Sequence, residues 1–123
     1  PLPTPPDMEG TQAEPQELLE RLNWGEPALT IIDIRDREAF NNERIMGALP
    51  FPKESLVDAV QGELEFNRDI YLYGATPEDT TAAARQLREA GYQKVAEIRG
   101  GLSGWKNIGG PTEGVTAFSS PNQ

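Results

Sequence analysis

Three short apolar runs, separated by stretches of helical spacing, constrain this chain more than any other feature. Residues 29–34 (LTIIDI), 70–73 (IYLY) and 94–98 (KVAEI) are each of strand length. A run with apolar side chains on both faces of a strand is buried on both faces, as in a parallel sheet covered by helices. The segments between the runs supply those helices. Pro15 suits a first helical turn, Leu18, Leu19 and Leu22 form its apolar face, and Gly25 and Pro27 end it. Asp36 can cap a short helix through Phe40, residues 48–51 add a short extended piece ended by Pro52, and residues 55–60 read as another helix. Thr76 opens a long helix to Ala90, with Gly91 as its C-terminal cap and Thr80, Ala83, Ala84 and Leu87 as its inner face. Residues 102–108 form a last short helix. The expectation is an α/β fold with helices on both faces of a parallel sheet. Ligands in such folds sit beyond the carboxyl ends of the strands, which places residues 33–36 and 74–79 on one rim.

The chain has 123 residues, enough for one domain with a modest core. Residues 1–10 (PLPTPPDMEG) are too proline-rich to pack and read as a linker, and residues 113–123 read as a flexible C-terminal tail. The chain opens on Pro1 instead of Met, so an upstream segment is expected. The compartment is not specified; an intracellular setting is favoured, and a membrane tether upstream is compatible with the linker. No apolar run here reaches the roughly 18 residues of a membrane span, so no direct insertion by this segment is expected.

Neither cysteine nor histidine occurs anywhere in the sequence. That excludes disulfides, thiolate metal sites, thiol nucleophiles and imidazole acid–base chemistry. With 20 acidic and 11 basic residues the net charge is −9. A field of that sign repels nucleic acid and anionic membrane surfaces and favours basic partners. Asp33, Asp36, Glu38, Glu78 and Asp79 could converge on a cation, but their spacing matches no calcium loop, and no metal or cofactor is expected.

The order of motifs resembles the rhodanese-like domain family over residues 11–112. Asp33-Ile34-Arg35 with Phe40 is similar to that family's D-[VI]-R…[YF] block. Arg44-Ile45-Met46-Gly47-Ala48 is similar to its H-I-P-G-A block. Gly100-Gly101-Leu102-Ser103-Gly104-Trp105, with Gly109 and Pro111, is similar to its closing G-G-x-x-x-W-x-x-x-G-x-P block. The resemblance implies a single domain whose central parallel sheet has about five strands. It also implies, in members that transfer sulfur, a Cys directly after the central strand in a loop resembling C-x-x-G-x-R-[ST].

This chain departs from that loop. Gly74 stands at the nucleophile position, followed by Ala75, Thr76, Pro77, Glu78, Asp79 and Thr80, with Asp79 at the position of the loop arginine. Arg44 stands where the family often has His, and Ala39 where it often has Glu. Only the change at 74 is fatal to sulfur transfer, because glycine has no side chain to carry a covalent intermediate. Pro77 also removes one N–H from any anion cradle. Glu78 and Asp79 put negative charge where an anion would sit; two unit charges about 4 Å apart repel by about 4 kcal/mol at an effective dielectric of about 20. The same residues equally make a good helix start, with Thr76 as cap, Pro77 in the first turn and Asp79 reaching back in a capping box.

The expectation is therefore a catalytically inactive rhodanese-like domain acting as a monomeric protein-binding or regulatory module. Its partner would be another protein, or another domain of the same chain, bearing a basic patch. Alternatives are a non-covalent small-ligand sensor, in a pocket slightly enlarged by the loss of a side chain at Gly74, and sulfur transfer by an unusual route. Asp33 and Arg35 should pair at the strand end. Trp105 should pack under the last helix, Trp24 should be a partly buried helix-end anchor, and Arg85, Arg88 and Glu89 should form a solvated helix face.

Overall fold

The computed structural model describes Met8, residues 10–25 and residues 28–116. In chain order these residues form β1 (Gln12–Ala13), α1 (Pro15–Asn23), β2 (Leu29–Asp33), α2 (Arg37–Asn42), β3 (Arg44–Ile45) and β4 (Leu49–Pro50). After a 3₁₀ turn come α3 (Leu56–Gln61), β5 (Asp69–Tyr73), α4 (Pro77–Glu89), β6 (Val95–Ile98), α5 (Gly101–Asn107) and β7 (Thr112–Glu113). Five strands make one parallel sheet in the order β1-β6-β5-β2-β4. The α/β architecture with a five-stranded parallel sheet agrees with the sequence reading.

Strand alternation sorts the core into two layers. Leu29 and Ile31 of β2, Tyr71 and Tyr73 of β5, and Ala96 and Ile98 of β6 pack with Leu18, Phe40 and Trp105, so α1, α2 and α5 cover one face. Ile32, Ile70, Leu72 and Val95 pack with Leu56, Val60, Ala83, Ala84 and Leu87, so α3 and α4 cover the other. Every residue of β2 and β5 is buried, which is why these two runs carry no polar face. The inner face of α4 is Thr80, Ala83, Ala84 and Leu87, as its spacing predicts. The small residues let the helix lie close to β5 and β6.

The closing motif has a packing reason. Gly100 and Gly101 turn the chain out of β6 with φ of +78° and +56°, a backbone region L side chains rarely enter. The Trp105 indole is fully buried, and its Nε1 donates to the Pro111 carbonyl at 2.7 Å. A Cβ on Gly110 would lie 2.2 Å from that ring, so only glycine fits there.

Several expectations need correcting. Glu113 is not the start of a tail: it lies in β7, antiparallel to β3, and its carboxylate accepts from Arg44 Nε at 3.3 Å and from the Gly47 N–H at 3.1 Å. Beyond β7, the Thr116 N–H donates to the Asn42 carbonyl at 2.8 Å. Trp24 is 45% exposed, not an anchor. Arg88 is not simply solvated, because its Nη2 donates to the Val95 carbonyl at 3.0 Å and ties α4 to β6. The expected Pro-rich linker, apart from Met8 and Gly10, lies outside the described residues, as do Pro27 and residues 117–123. Among the described residues, no helix is long and apolar enough to cross a membrane.

Candidate functional site

β2 ends in a buried ion pair. Asp33 is fully buried, and its carboxylate accepts from Arg35 three ways: from the backbone N–H at 2.9 Å, from Nε at 3.0 Å and from Nη2 at 2.7 Å. Arg35 Nη2 also donates to the Glu43 carbonyl at 2.5 Å, and the guanidinium lies 5.4 Å from the centre of the Tyr73 ring. Burial alone would lower the Arg35 pKa, but the hydrogen bonds and charge of Asp33 outweigh it and leave it raised. Burial, aided by the Asp33 charge, pushes the Tyr73 hydroxyl far above its ordinary range. That neutral hydroxyl accepts from the Ile45 N–H at 3.0 Å. The group is a rigid strand-end brace, as expected for Asp33 and Arg35.

β5 ends at Tyr73, and the chain turns through Gly74 and Ala75 into α4. Thr76 caps this helix by accepting from the Asp79 N–H at 3.1 Å, and Pro77 occupies the first turn. The reciprocal half of the expected capping box gives way to a salt bridge. The Asp79 carboxylate pairs with Lys53 Nζ at 3.2 Å. Thr80 is buried and donates to the Thr76 carbonyl at 3.0 Å.

Gly74 does not leave a hole. A Cβ built there would lie 2.9 Å from Cδ1 and Cγ1 of Ile34 and 3.1 Å from Thr80 Oγ1. The expectation of an enlarged pocket is therefore wrong, because Ile34 and Thr80 already take that space.

A cavity of about 670 Å³ opens beyond the carboxyl ends of the strands. The predicted residues Arg35, Gly74, Ala75, Thr76, Pro77 and Thr80 line it. Glu78 and Asp79 do not, so they cannot act as its acidic wall. Arg44 also lies outside it: the guanidinium donates to the Phe40 carbonyl at 3.0 Å and sits 4.4 Å from that ring's centre. Asp33 and Trp105 serve packing and bracing. Among the described residues, no group of three acidic side chains could hold a metal ion.

The opposite wall was not anticipated. It comprises Gln12 and residues 97–103, including Glu97 and Arg99. Glu97 is 8% exposed, and its Oε1 accepts from Thr81 Oγ1 at 2.7 Å. Arg99 pairs with Glu14 at 2.7 Å on the surface. Glu97 had one legible signal, an acidic residue inside a run otherwise buried.

Comparison with known proteins agrees with the geometry. The model of the Rhodanese-like domain family matches residues 14–108. A thiosulfate sulfurtransferase GlpE of Shewanella oneidensis is 32% identical over 78 residues, covering 63% of this chain and 76% of that protein. An HTH-type transcriptional regulator, Rv0324 of Mycobacterium tuberculosis, is 34% identical over 99 residues, covering 79% of this chain but 42% of that protein. The solution structure of the rhodanese-like domain of Alr3790 from Anabaena sp. superposes with a TM-score of 0.86 at 50% identity, covering 92% of this chain and 86% of that one.

Proposed function

The chain belongs to the rhodanese-like domain family, and we propose that within it this chain is a binding or regulatory module without sulfur-transfer activity. One observation carries the reading: the position after the central strand is Gly74, which has no side chain to hold a transferred atom. Sulfur transfer of the kind named for the Shewanella relative runs through a nucleophile that holds the transferred atom, and this chain has no cysteine to supply one. The cavity beside that position persists at about 670 Å³, a size ordinary for binding sites.

The Mycobacterium relative supports the regulatory half of the reading. There the similar stretch makes up less than half of a chain named as a transcriptional regulator. A net charge of −9 favours a basic partner. That partner is another protein or another domain of the same chain, and the cavity rim is the surface we assign to it.

The test is an assay of thiosulfate and cyanide with the purified chain. The expected result is thiocyanate formation no faster than in buffer. Turnover that scales with protein concentration would sink the proposal. Affinity capture from native extract, comparing the chain with a variant altered at Ala75 and Ser103 on the cavity rim, then reads the binding half. Both positions are at least partly exposed and line the cavity. A specific partner retained by the parent and lost by the folded variant supports the rim as the binding surface.

A further inference from the structure

We propose that the cavity takes a cationic group, an ammonium or a guanidinium, with Glu97 as its counter-charge. This deepens the binding reading above and rests on it.

A carboxylate removed from water is expensive unless it is paired or its acceptor sites are filled. An ionised carboxylate can accept about four hydrogen bonds. Glu97 is 8% exposed, and the side-chain partner it has is the Thr81 hydroxyl at 2.7 Å. None of the ion pairs among the described residues includes it. Glu97 thus lines the cavity with acceptor capacity left to solvent and no counter-charge.

The remaining charges of the wall are already matched. Arg35 is held by Asp33 at 2.7 Å and Arg99 by Glu14 at 2.7 Å. With those two pairs balanced, Glu97 is the unmatched charge lining the cavity. An entering anion would face Glu97 and would have to take Arg99 from Glu14. An entering cation meets a carboxylate already largely withdrawn from water, and forms a charge-assisted hydrogen bond with it. The low polarity around a buried group strengthens that attraction relative to water. The volume, about 670 Å³, admits a small amine or the end of one lysine or arginine side chain.

The probes are agmatine, a free small molecule with a guanidinium at one end and an ammonium at the other, and an acetylated, amidated Gly-Arg-Gly peptide, which carries its guanidinium as a protein would. Amide NMR of the intact chain follows each titration. The expected result is saturable shifts at Gly74, Ala75, Gly100 and Gly101 with both probes, and a dissociation constant raised about tenfold or more in Glu97→Gln. The amide oxygen of that variant still accepts from Thr81, so the fold is retained, and its spectrum verifies this. A second variant, Glu14→Gln, lies at an exposed position and frees Arg99. It should weaken agmatine without touching Glu97. Tighter binding of the peptide identifies a partner's side chain as the source, and tighter binding of agmatine identifies a free amine.

Shifts absent with both probes overturn the proposal. So do shifts undiminished in Glu97→Gln, or thiosulfate moving the same amides at lower concentration than agmatine. If that happens while the sulfur-transfer assay stays silent and rim-dependent capture persists, the binding-module reading stands and only its ligand is lost.

Discussion

Ile34 occupies the place that a side chain on Gly74 would need. The two residues come from neighbouring strand ends, and a Cβ on Gly74 would meet the Ile34 side chain at 2.9 Å. Ile34 is itself 2% exposed and packed among Leu56, Leu72 and Ala83, so it has little room to retreat.

Gly74→Cys is therefore expected to destabilise the chain by about 1–3 kcal/mol, the usual cost of overpacking a core. Trimming the obstacle should return part of that loss. In Gly74→Cys/Ile34→Val the combined destabilisation should fall short of the sum of the single changes by about 0.5 kcal/mol or more. Urea denaturation of the four proteins in the cycle measures the coupling. Strict additivity would mean the two side chains do not compete.

The Asp33–Arg35 brace makes a second prediction. Removing one partner of a buried pair leaves a charge without compensation, at a typical cost of about 3–5 kcal/mol. Arg35→Met should show a loss of that order in guanidinium denaturation. A loss below about 1 kcal/mol, the range of surface pairs, would show that the brace is not structural.

Acid sensitivity should centre on Glu43. Its carboxyl is held below its usual value of 4.5, first by the hydrogen bond from Lys106 and then, against the opposing effect of burial, by Thr112. A carboxyl with a lowered folded pKa contributes stability that is present above the unfolded value and is lost as pH falls through the folded one. The melting temperature should therefore decline as pH drops below 4.5. Glu43→Gln should flatten that decline.

The two tryptophans should report separately. Trp105 is fully buried and Trp24 is 45% exposed. Acrylamide quenching should resolve an accessible and a protected population. Trp24→Phe should leave the protected, blue-shifted one alone. Truncating the other, Trp105→Ala, should cost about 3–5 kcal/mol, as large aromatic deletions do. A single, uniformly quenched population in the parent would contradict the burial of Trp105.

The parts of this molecule legible in the sequence are those whose signal is local. β2 and β5 announce themselves because every position is apolar or aromatic or carries a buried polar role. α4 does so because Thr80, Ala83, Ala84 and Leu87 recur at helical spacing. The Asp33–Arg35 pair was readable because two residues of opposite charge sit two apart at a strand end. What escaped depends on distant partners. β1, β3 and β7 are two residues each, too short for any periodicity, and exist because β6 and each other supply their hydrogen bonds. The closure of the Gly74 space by Ile34 joins residues forty positions apart. The pairing of Asp79 with Lys53 likewise joins residues twenty-six positions apart. Glu97 was visible as an acidic residue in a buried run, but its place in the cavity wall follows from how β6 meets β1 and α4.

The cysteine-free loop at Gly74 also changes what the cavity can record. A site that carries a transferred sulfur exists in two covalent states, and its present state reports what it met earlier. It also answers to oxidants and reductants around it. With no thiol at Gly74, this cavity has neither property. A ligand held there without a covalent bond would come and go with its own concentration and leave no covalent trace. A scaffold that in its sulfur-transferring relatives can store a covalent state has no place at Gly74 to store one here.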